Sequence, residues 1–213
     1  AVDLRYSFTW PSIARAISCP PFSENEIWNG FPDETNAPYG ISKKMMLVQS
    51  DAYRRQYGFN SITVIPTNLY GPEDDFNIET SNVIPGIILK ISNAVKTNSD
   101  EVVLWGDGSP TRDFLFVDDA ADGIILAAQK YDDVSPINLG AQKETSIKEL
   151  ATLVSEIMRF SGDIIWDNTK ANGQPRRCVS NYKAEREIGF KPKISLKEGL
   201  TKVISWFESN NGI

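Results

Sequence analysis

From residue 39 onward the apolar positions follow two alternating spacings, which read as helices interleaved with short strands. Residues 39–57 carry an apolar run at roughly helical spacing and stop at Gly58. A helix from Tyr39 to about Tyr57 is expected, with Pro38 in the first turn, where a missing N–H costs nothing, and Thr35 or Asn36 as cap. Residues 61–67 are short, β-branched and apolar, as in a strand buried in a parallel sheet. A loop follows over 68–76. Val83, Ile84, Ile87, Ile88 and Ile91 recur at helical spacing, so 82–96 is a helix with Pro85 in its first turn. Residues 101–105 read as a strand, 106–110 as a turn and 114–117 as a strand. Asp118 and Asp119 then open a helix to about Lys130, placing acids where the helix dipole favours them. A strand at 135–139, a helix from Ser146 to about Phe160 and a strand at 164–166 come next. A polar loop at 172–177 and helices at 183–188 and 196–207 close the chain. Residues 1–22 lack a firm period, and a strand at 13–18 is the one element they suggest. Strands and helices alternate at βαβ spacing, so the expected class is α/β with a parallel sheet.

Composition narrows the function classes. The 213 residues are enough for one large domain or one and a half small ones, and no repeat or linker divides them. A net charge of −6 argues against a nucleic-acid surface. No apolar run reaches membrane-spanning length, and Ala1-Val2-Asp3-Leu4-Arg5 shows no signal pattern. Cys19 and Cys178 lie far apart without metal-ligand spacing, which suits a reduced, cytoplasmic-type compartment and no metal. The chain contains no histidine. Acid–base chemistry must therefore come from Tyr, Lys, Cys, Asp or Glu.

The candidate chemistry centres on Tyr39-Gly40-Ile41-Ser42-Lys43. At positions i and i+4 of a helix, the phenol and the ammonium share a face. A nearby positive charge favours a phenolate, so the pair can act as a proton-transfer device. The pentapeptide alone equally suits a surface tyrosine and lysine. A glycine-rich strand–turn–helix fingerprint for a dinucleotide is not among these residues, and neither is a P-loop.

Longer runs add to this. Trp28-Asn29-Gly30, Glu34 to Lys44, Pro66 to Pro72, Ser81 to Pro85, Trp105 to Leu115 and Asn172 to Arg177 occur in order across about 24–210. Together they resemble the extended short-chain dehydrogenase/reductase family, and within it the GDP-L-fucose synthases. The resemblance implies an NADP-dependent epimerase and reductase acting on GDP-4-keto-6-deoxy-D-mannose, as a cytoplasmic homodimer. The implied fold is a partial Rossmann-type parallel sheet with a smaller C-terminal α/β substrate-binding domain. Its division would place residues 1–80 in the cofactor domain and 81–213 mainly in the substrate region, with about 113–140 returning to the sheet.

Roles follow residue by residue. Tyr39 would protonate the 4-oxygen of the keto-sugar, and Lys43 would favour the phenolate and hydrogen-bond the nicotinamide ribose. Pro66, Thr67, Asn68 and Leu69 would line the nicotinamide. Val83, Lys90, Trp105 and Arg112 would contact the GDP-sugar, with Arg176 and Arg177 adding charge. Read as residues alone, Trp105 also suits a core, Lys90 a solvated helix face and Arg112 an ion pair with Asp113. Cys19 remains as an epimerisation candidate, although it also suits a small buried residue. Asn82 stands where the family has a histidine; it can hold a hydrogen bond beside the cofactor but cannot act as a general acid. Ile17 stands where the family has a serine. Another nucleotide-sugar epimerase or dehydratase, or a non-catalytic nucleotide-sugar-binding remnant, stays open. The family's glycine-rich half would precede these residues, so the chain by itself is expected to be an impaired enzyme.

Overall fold

The computed structural model describes residues 5–8, 21–32 and 37–211. In chain order the elements are β1 (Arg5–Phe8), a 3-10 turn (Glu24–Trp28), α1 (Ala37–Tyr57), β2 (Ser61–Pro66), β3 (Asn68–Tyr70) and α2 (Val83–Thr97). Then come β4 (Glu101–Trp105), β5 (Thr111–Phe116), α3 (Val117–Lys130), β6 (Ile137–Leu139), β7 (Glu144–Ser146) and α4 (Ile147–Ile157). The chain ends with β8 (Asp163–Asp167), β9 (Arg176–Arg177), α5 (Tyr182–Ile188) and α6 (Leu196–Asn211). Two compact units result. The first comprises the described residues of 1–69 together with 113–143 and 177–193; the second comprises 70–112, 144–176 and 194–213.

The first unit is built on a parallel sheet in the order β1-β2-β6. All six residues of β2 are buried, as a central strand with both faces covered requires. Ile62 and Val64 face a core shared with Leu115, Ala120, Ala127, Ile137, Leu139, Ile188 and Phe190, on the α3 and α5 side. Ile65 points the other way, to Leu47 of α1 and Ile27 of the 3-10 turn. Side chains alternate along a strand, and that alternation divides the two layers. Asp119 in the first turn of α3 is buried and accepts the Lys193 N–H on both oxygens at 3.0 Å.

The second unit pairs β4 with β8 in parallel register, Glu101 with Asp163 through Trp105 with Asp167. Along β4, Val102 and Leu104 are buried while Val103 and Trp105 are exposed. Helix α2 buries Ile84, Ile87, Ile88 and Ile91, and it packs on β4 and α4. Ser146 opens α4 with a reciprocal box: its Oγ accepts the Glu149 N–H at 3.1 Å, and the Glu149 carboxylate accepts the Ser146 N–H at 2.8 Å.

Most elements lie where the apolar spacing puts them. Helix α1 starts two residues earlier than the periodicity suggests, and its expected caps at 35 and 36 lie outside the described residues. The strand suggested at 13–18 also lies outside them; the described strand of that region is β1, four residues long. The loop expected at 68–76 begins with β3. Strand β6 is shorter than 135–139, because the Ser135 carbonyl is taken by the Tyr131 hydroxyl at 2.7 Å and Pro136 has no N–H to give. The polar loop at 172–177 ends in the two-residue β9.

Gly123 tests how closely α3 sits on the sheet. Alanine there gains about 1 kcal/mol of helix propensity. Its Cβ, however, would lie 2.7 Å from Leu139 Cδ1 and 2.9 Å from Phe190 Cε2. Overpacking should win, and Gly123→Ala is expected to lose about 1–2 kcal/mol, read from the urea midpoint. A raised midpoint would show that α3 has room to give.

Candidate active site

In the first unit, α1 sorts neighbouring residues by face. Ala37, Gly40, Lys44 and Leu47 are buried at helical spacing, which turns Tyr39 and Lys43 outward. The Lys43 ammonium lies 5.5 Å from the Tyr39 ring centroid and 3.9 Å from Met46 Sδ. Among the described residues no carboxylate pairs with it. Tyr39 is 41% exposed. Lys44 behaves differently: its Nζ donates to the Gly30 carbonyl at 3.1 Å, lies 5.8 Å from the Trp28 ring centroid, and has its pKa lowered by burial. Sequence reasoning missed Lys44, although the 37-40-44-47 spacing places it on the inner face.

Gly58, with φ +63°, turns α1 into β2 over a few residues. The Tyr39 end of the helix and the carboxyl end of the strand therefore lie at the same edge of the sheet, where ligands bind in open α/β folds. At that edge Pro66 pairs with Leu139. Thr67 is fully buried; its N–H donates to the Leu139 carbonyl at 2.8 Å and its hydroxyl to the Asp113 carbonyl at 3.0 Å. Asn68 Nδ2 donates to the same carbonyl at 2.9 Å. Its Oδ1 has no partner among the described residues, and Leu69 rests against the α3-side core.

Asp113 itself is fully buried. Its carboxylate accepts the Ala141 N–H at 2.8 Å and lies 3.8 Å from the Cys178 thiol, and the N–H groups of Gln142 and Val179 also favour its charged form. Burial outweighs these donors and raises its pKa to about 6.

The second unit contains a cleft of about 270 Å³, lined by Asn82, Val83, Lys90, Trp105 and Trp166 among others. Lys90 donates to the Val103 carbonyl at 2.9 Å and lies 5.3 Å from the Trp105 ring centroid; desolvation lowers its pKa. Trp105 is 67% exposed, so it is a surface aromatic and not part of the core. Trp166 was missed by sequence reasoning, yet it lies on a strand of alternating burial paired with β4. A Cβ at Gly108 would meet its ring at 2.7 Å. Asn82 sits at the N-cap of α2 without bonding the helix, and its side chain favours the charged form of Asp74. Burial raises the pKa of Asp74.

The arginines differ in how they are held. Arg112 Nη1 donates to the Thr111 and Gln174 carbonyls, both at 2.7 Å, which aims the guanidinium. Arg176 forms a two-point pair with Glu144, whose pKa that bond lowers. Arg177 is half-buried in β9, and Cys178 is buried. Cys19 lies outside the described residues. Among the described residues no group of His, Cys, Asp and Glu could hold a metal ion.

A model of the NAD dependent epimerase/dehydratase family matches residues 18–140. The chain belongs to this family. It is 43% identical over 190 residues to the probable GDP-L-fucose synthase 1 of Oryza sativa subsp. japonica, covering 89% of this chain and 58% of that protein. It is 34% identical over 213 residues to the GDP-L-fucose synthase of Escherichia coli K12, covering 96% and 65%. The chain thus spans about three fifths of the length of these relatives. The crystal structure of a GDP-L-fucose synthetase from Naegleria fowleri bound to NADP superposes with a TM-score of 0.90 at 28% identity, covering 98% of this chain and 67% of that one. The fold is accordingly the Rossmann-like one of these epimerases and reductases.

The buried Asp113 gives a pH prediction. Its carboxyl rises from 3.8 to about 6 on folding, so between those values the folded chain holds more protons than the unfolded one. Its share of stability is present below about pH 4 and is lost as pH rises to about 6, on the order of 3 kcal/mol. Among the described residues, the Cys178 thiol is the ionisable group in contact with it. Urea titrations from pH 4 to 7 should show this fall, and Asp113→Asn should flatten it.

Proposed function

We propose that the protein is an NADP-dependent reductase and epimerase of the GDP-L-fucose synthase type, acting on a GDP-4-keto-6-deoxyhexose in the cytoplasm. The observation that carries this reading is the Tyr39–Lys43 face of α1, with its part-exposed tyrosine and its ammonium without a carboxylate. The nicotinamide end of the cofactor fits the same sheet edge. Lys43 can donate to a ribose hydroxyl there, and Asn68 Oδ1 can accept from a carboxamide. A bound NADPH supplies the hydride. Tyr39 gives its proton to the sugar 4-oxygen as charge develops on it, and the Lys43 ammonium stabilises the phenolate left behind. In the second unit, Trp105 offers an aromatic face, and Lys90 and Arg112 offer cations for a nucleoside diphosphate. Asn82 does not titrate, so a proton in the epimerase half would have to move through another group.

A UDP-sugar epimerase is the second reading. The UDP-glucose 4-epimerase structure from Thermotoga maritima superposes with a TM-score of 0.84 at 26% identity. Thermal shifts with GDP and UDP separate the two, since the preferred ligand stabilises more. A homodimer is also part of the proposal, supported by exposed Ile41, Met45, Val48 and Tyr53 on α1; sedentation equilibrium of the full-length polypeptide tests it. No helix among the described residues is long and apolar enough to cross a membrane.

In the full-length polypeptide, Tyr39→Phe should lower NADPH oxidation with the GDP-keto-sugar by at least about a hundredfold while GDP affinity stays within about twofold. Lys90→Met should raise the Kd for GDP about tenfold, the loss of roughly one charge-assisted contact. A wild-type rate for Tyr39→Phe would rule out the proposed proton donor.

A further inference from the structure

One buried group joins three separate segments of the first unit. The Asp113 carbonyl receives both the Thr67 hydroxyl and the Asn68 amide. Its carboxylate receives the Ala141 N–H and the Cys178 thiol, and the N–H groups of Gln142 and Val179 also favour its charge. The surrounding backbone is shaped to this carboxylate. A Cβ at Gly140 would lie 2.4 Å from Asp113 Oδ2 and 2.7 Å from Val179 Cγ2. Gly140 is held in turn by Asn181, whose Oδ1 accepts its N–H at 2.6 Å and whose Nδ2 donates to its carbonyl. The carboxylate cannot shift without moving the 140–142 turn or the 178–181 segment.

That fixity has a chemical consequence at residue 68. A carbonyl only accepts, so the side-chain group that Asn68 turns toward Asp113 must be its NH2. The other end of the amide, Oδ1, is then left without a partner among the described residues, and it can only accept. We propose that Asp113 is a positioning residue: its anchored backbone carbonyl sets the Asn68 amide so that Oδ1 is offered as an acceptor to the carboxamide N–H of a nicotinamide cofactor. The proposal rests on the reading that residues 66–69 line that cofactor. Asp113 does not touch the ligand. It acts through Asn68, and Thr67 shares the same carbonyl and holds the turn at the height of Leu139.

The test uses the full-length polypeptide and reads binding, not turnover. NADPH is titrated by its nicotinamide fluorescence. Adenosine 2′,5′-bisphosphate, which lacks the nicotinamide, serves as the control ligand. Asn68→Ala should raise the NADPH Kd about tenfold, the equivalent of one hydrogen bond. Asp113→Asn should raise it by a similar factor, with control-ligand affinity within about twofold in both variants. The double variant should bind NADPH no more weakly than Asn68→Ala alone, because the two residues act through one contact. A carboxylate that merely supported the fold would give losses that add, or would weaken both ligands together, and either result overturns the proposal. If Asn68→Ala leaves NADPH affinity unchanged, residues 66–69 do not face the nicotinamide and the underlying reading fails. If Asn68→Ala weakens binding while Asp113→Asn does not, that reading stands and the positioning role fails. Should Asp113→Asn not fold, Thr67→Val carries the test. It removes the second donor to the same carbonyl, and a rise of a few fold in the NADPH Kd, absent from the Asn68→Ala background, is the expected result. No rise overturns the proposal.

Discussion

The first unit is organised around a carboxylate that has no access to water. Burying an ionised carboxyl costs several kcal/mol unless donors replace its hydration. Asp113 offsets part of that cost with the Ala141 N–H and the Cys178 thiol, from two other segments, and with the favourable N–H groups of Gln142 and Val179. Those donors reach it because residue 140 is glycine, and Gly140 stays in place because Asn181 bonds both its N–H and its carbonyl. Asp113, Gly140 and Asn181 therefore stand or fall together. The donors do not cancel the burial, and the carboxyl is left with a raised pKa. The unit retains a group that would be more stable protonated, which is the expected signature of a carboxyl kept for its geometry.

The same unit shows how one helix face can separate structure from chemistry. Lys43 and Lys44 are adjacent, yet a 100° step along the helix puts one amine against a carbonyl and a tryptophan ring and the other, half-buried, beside Tyr39 and Met46. Burial lowers the pKa of Lys44, and that amine is spent on holding the Gly30 loop. Lys43 keeps its reach. Moving the helix register by one residue would take Tyr39 and Lys43 off the face they now share, so the buried stripe from Ala37 to Leu47 is what aims the proposed proton donor.

Periodicity made most of this fold legible. The β-branched run of β2, the isoleucine spacing of α2 and the Ser146–Glu149 box each state a local preference that the tertiary structure also satisfies. The surface position of Trp105 was not readable, because residues 102–105 are apolar in a row; only the structure puts Val102 and Leu104 on the inner face of β4 and leaves residue 105 outward. Two- and three-residue strands such as β9 and β3 were not readable, because so few residues carry no period. The Asp113 anchor was also beyond the sequence. The N–H groups that favour its charge belong to the backbone, leave no mark on residue type, and lie 28 to 66 positions away. Read alone, Asp113 beside Arg112 suggests a surface ion pair; the structure instead buries the carboxylate on N–H donors.

Cation placement separates the proposed substrate contacts. The chain carries 22 lysines and arginines against 28 acids, and among the described residues some of these cations sit on carboxylates while others do not. Arg176 has done so: its guanidinium meets Glu144 at two points, and presenting it to a diphosphate would mean breaking that pair and leaving Glu144 with only the Thr111 hydroxyl. Lys90 is held differently. A carbonyl and the face of Trp105 orient its amine but carry no negative charge to neutralise it. Desolvation lowers its pKa, which makes its charged form less comfortable alone and gives an arriving anion more to offset. A cation in that state discriminates for a ligand that brings negative charge into the cleft beside an aromatic face. For this reason Lys90, and not the more exposed Arg176, is the cation around which recognition of a nucleoside diphosphate is best built.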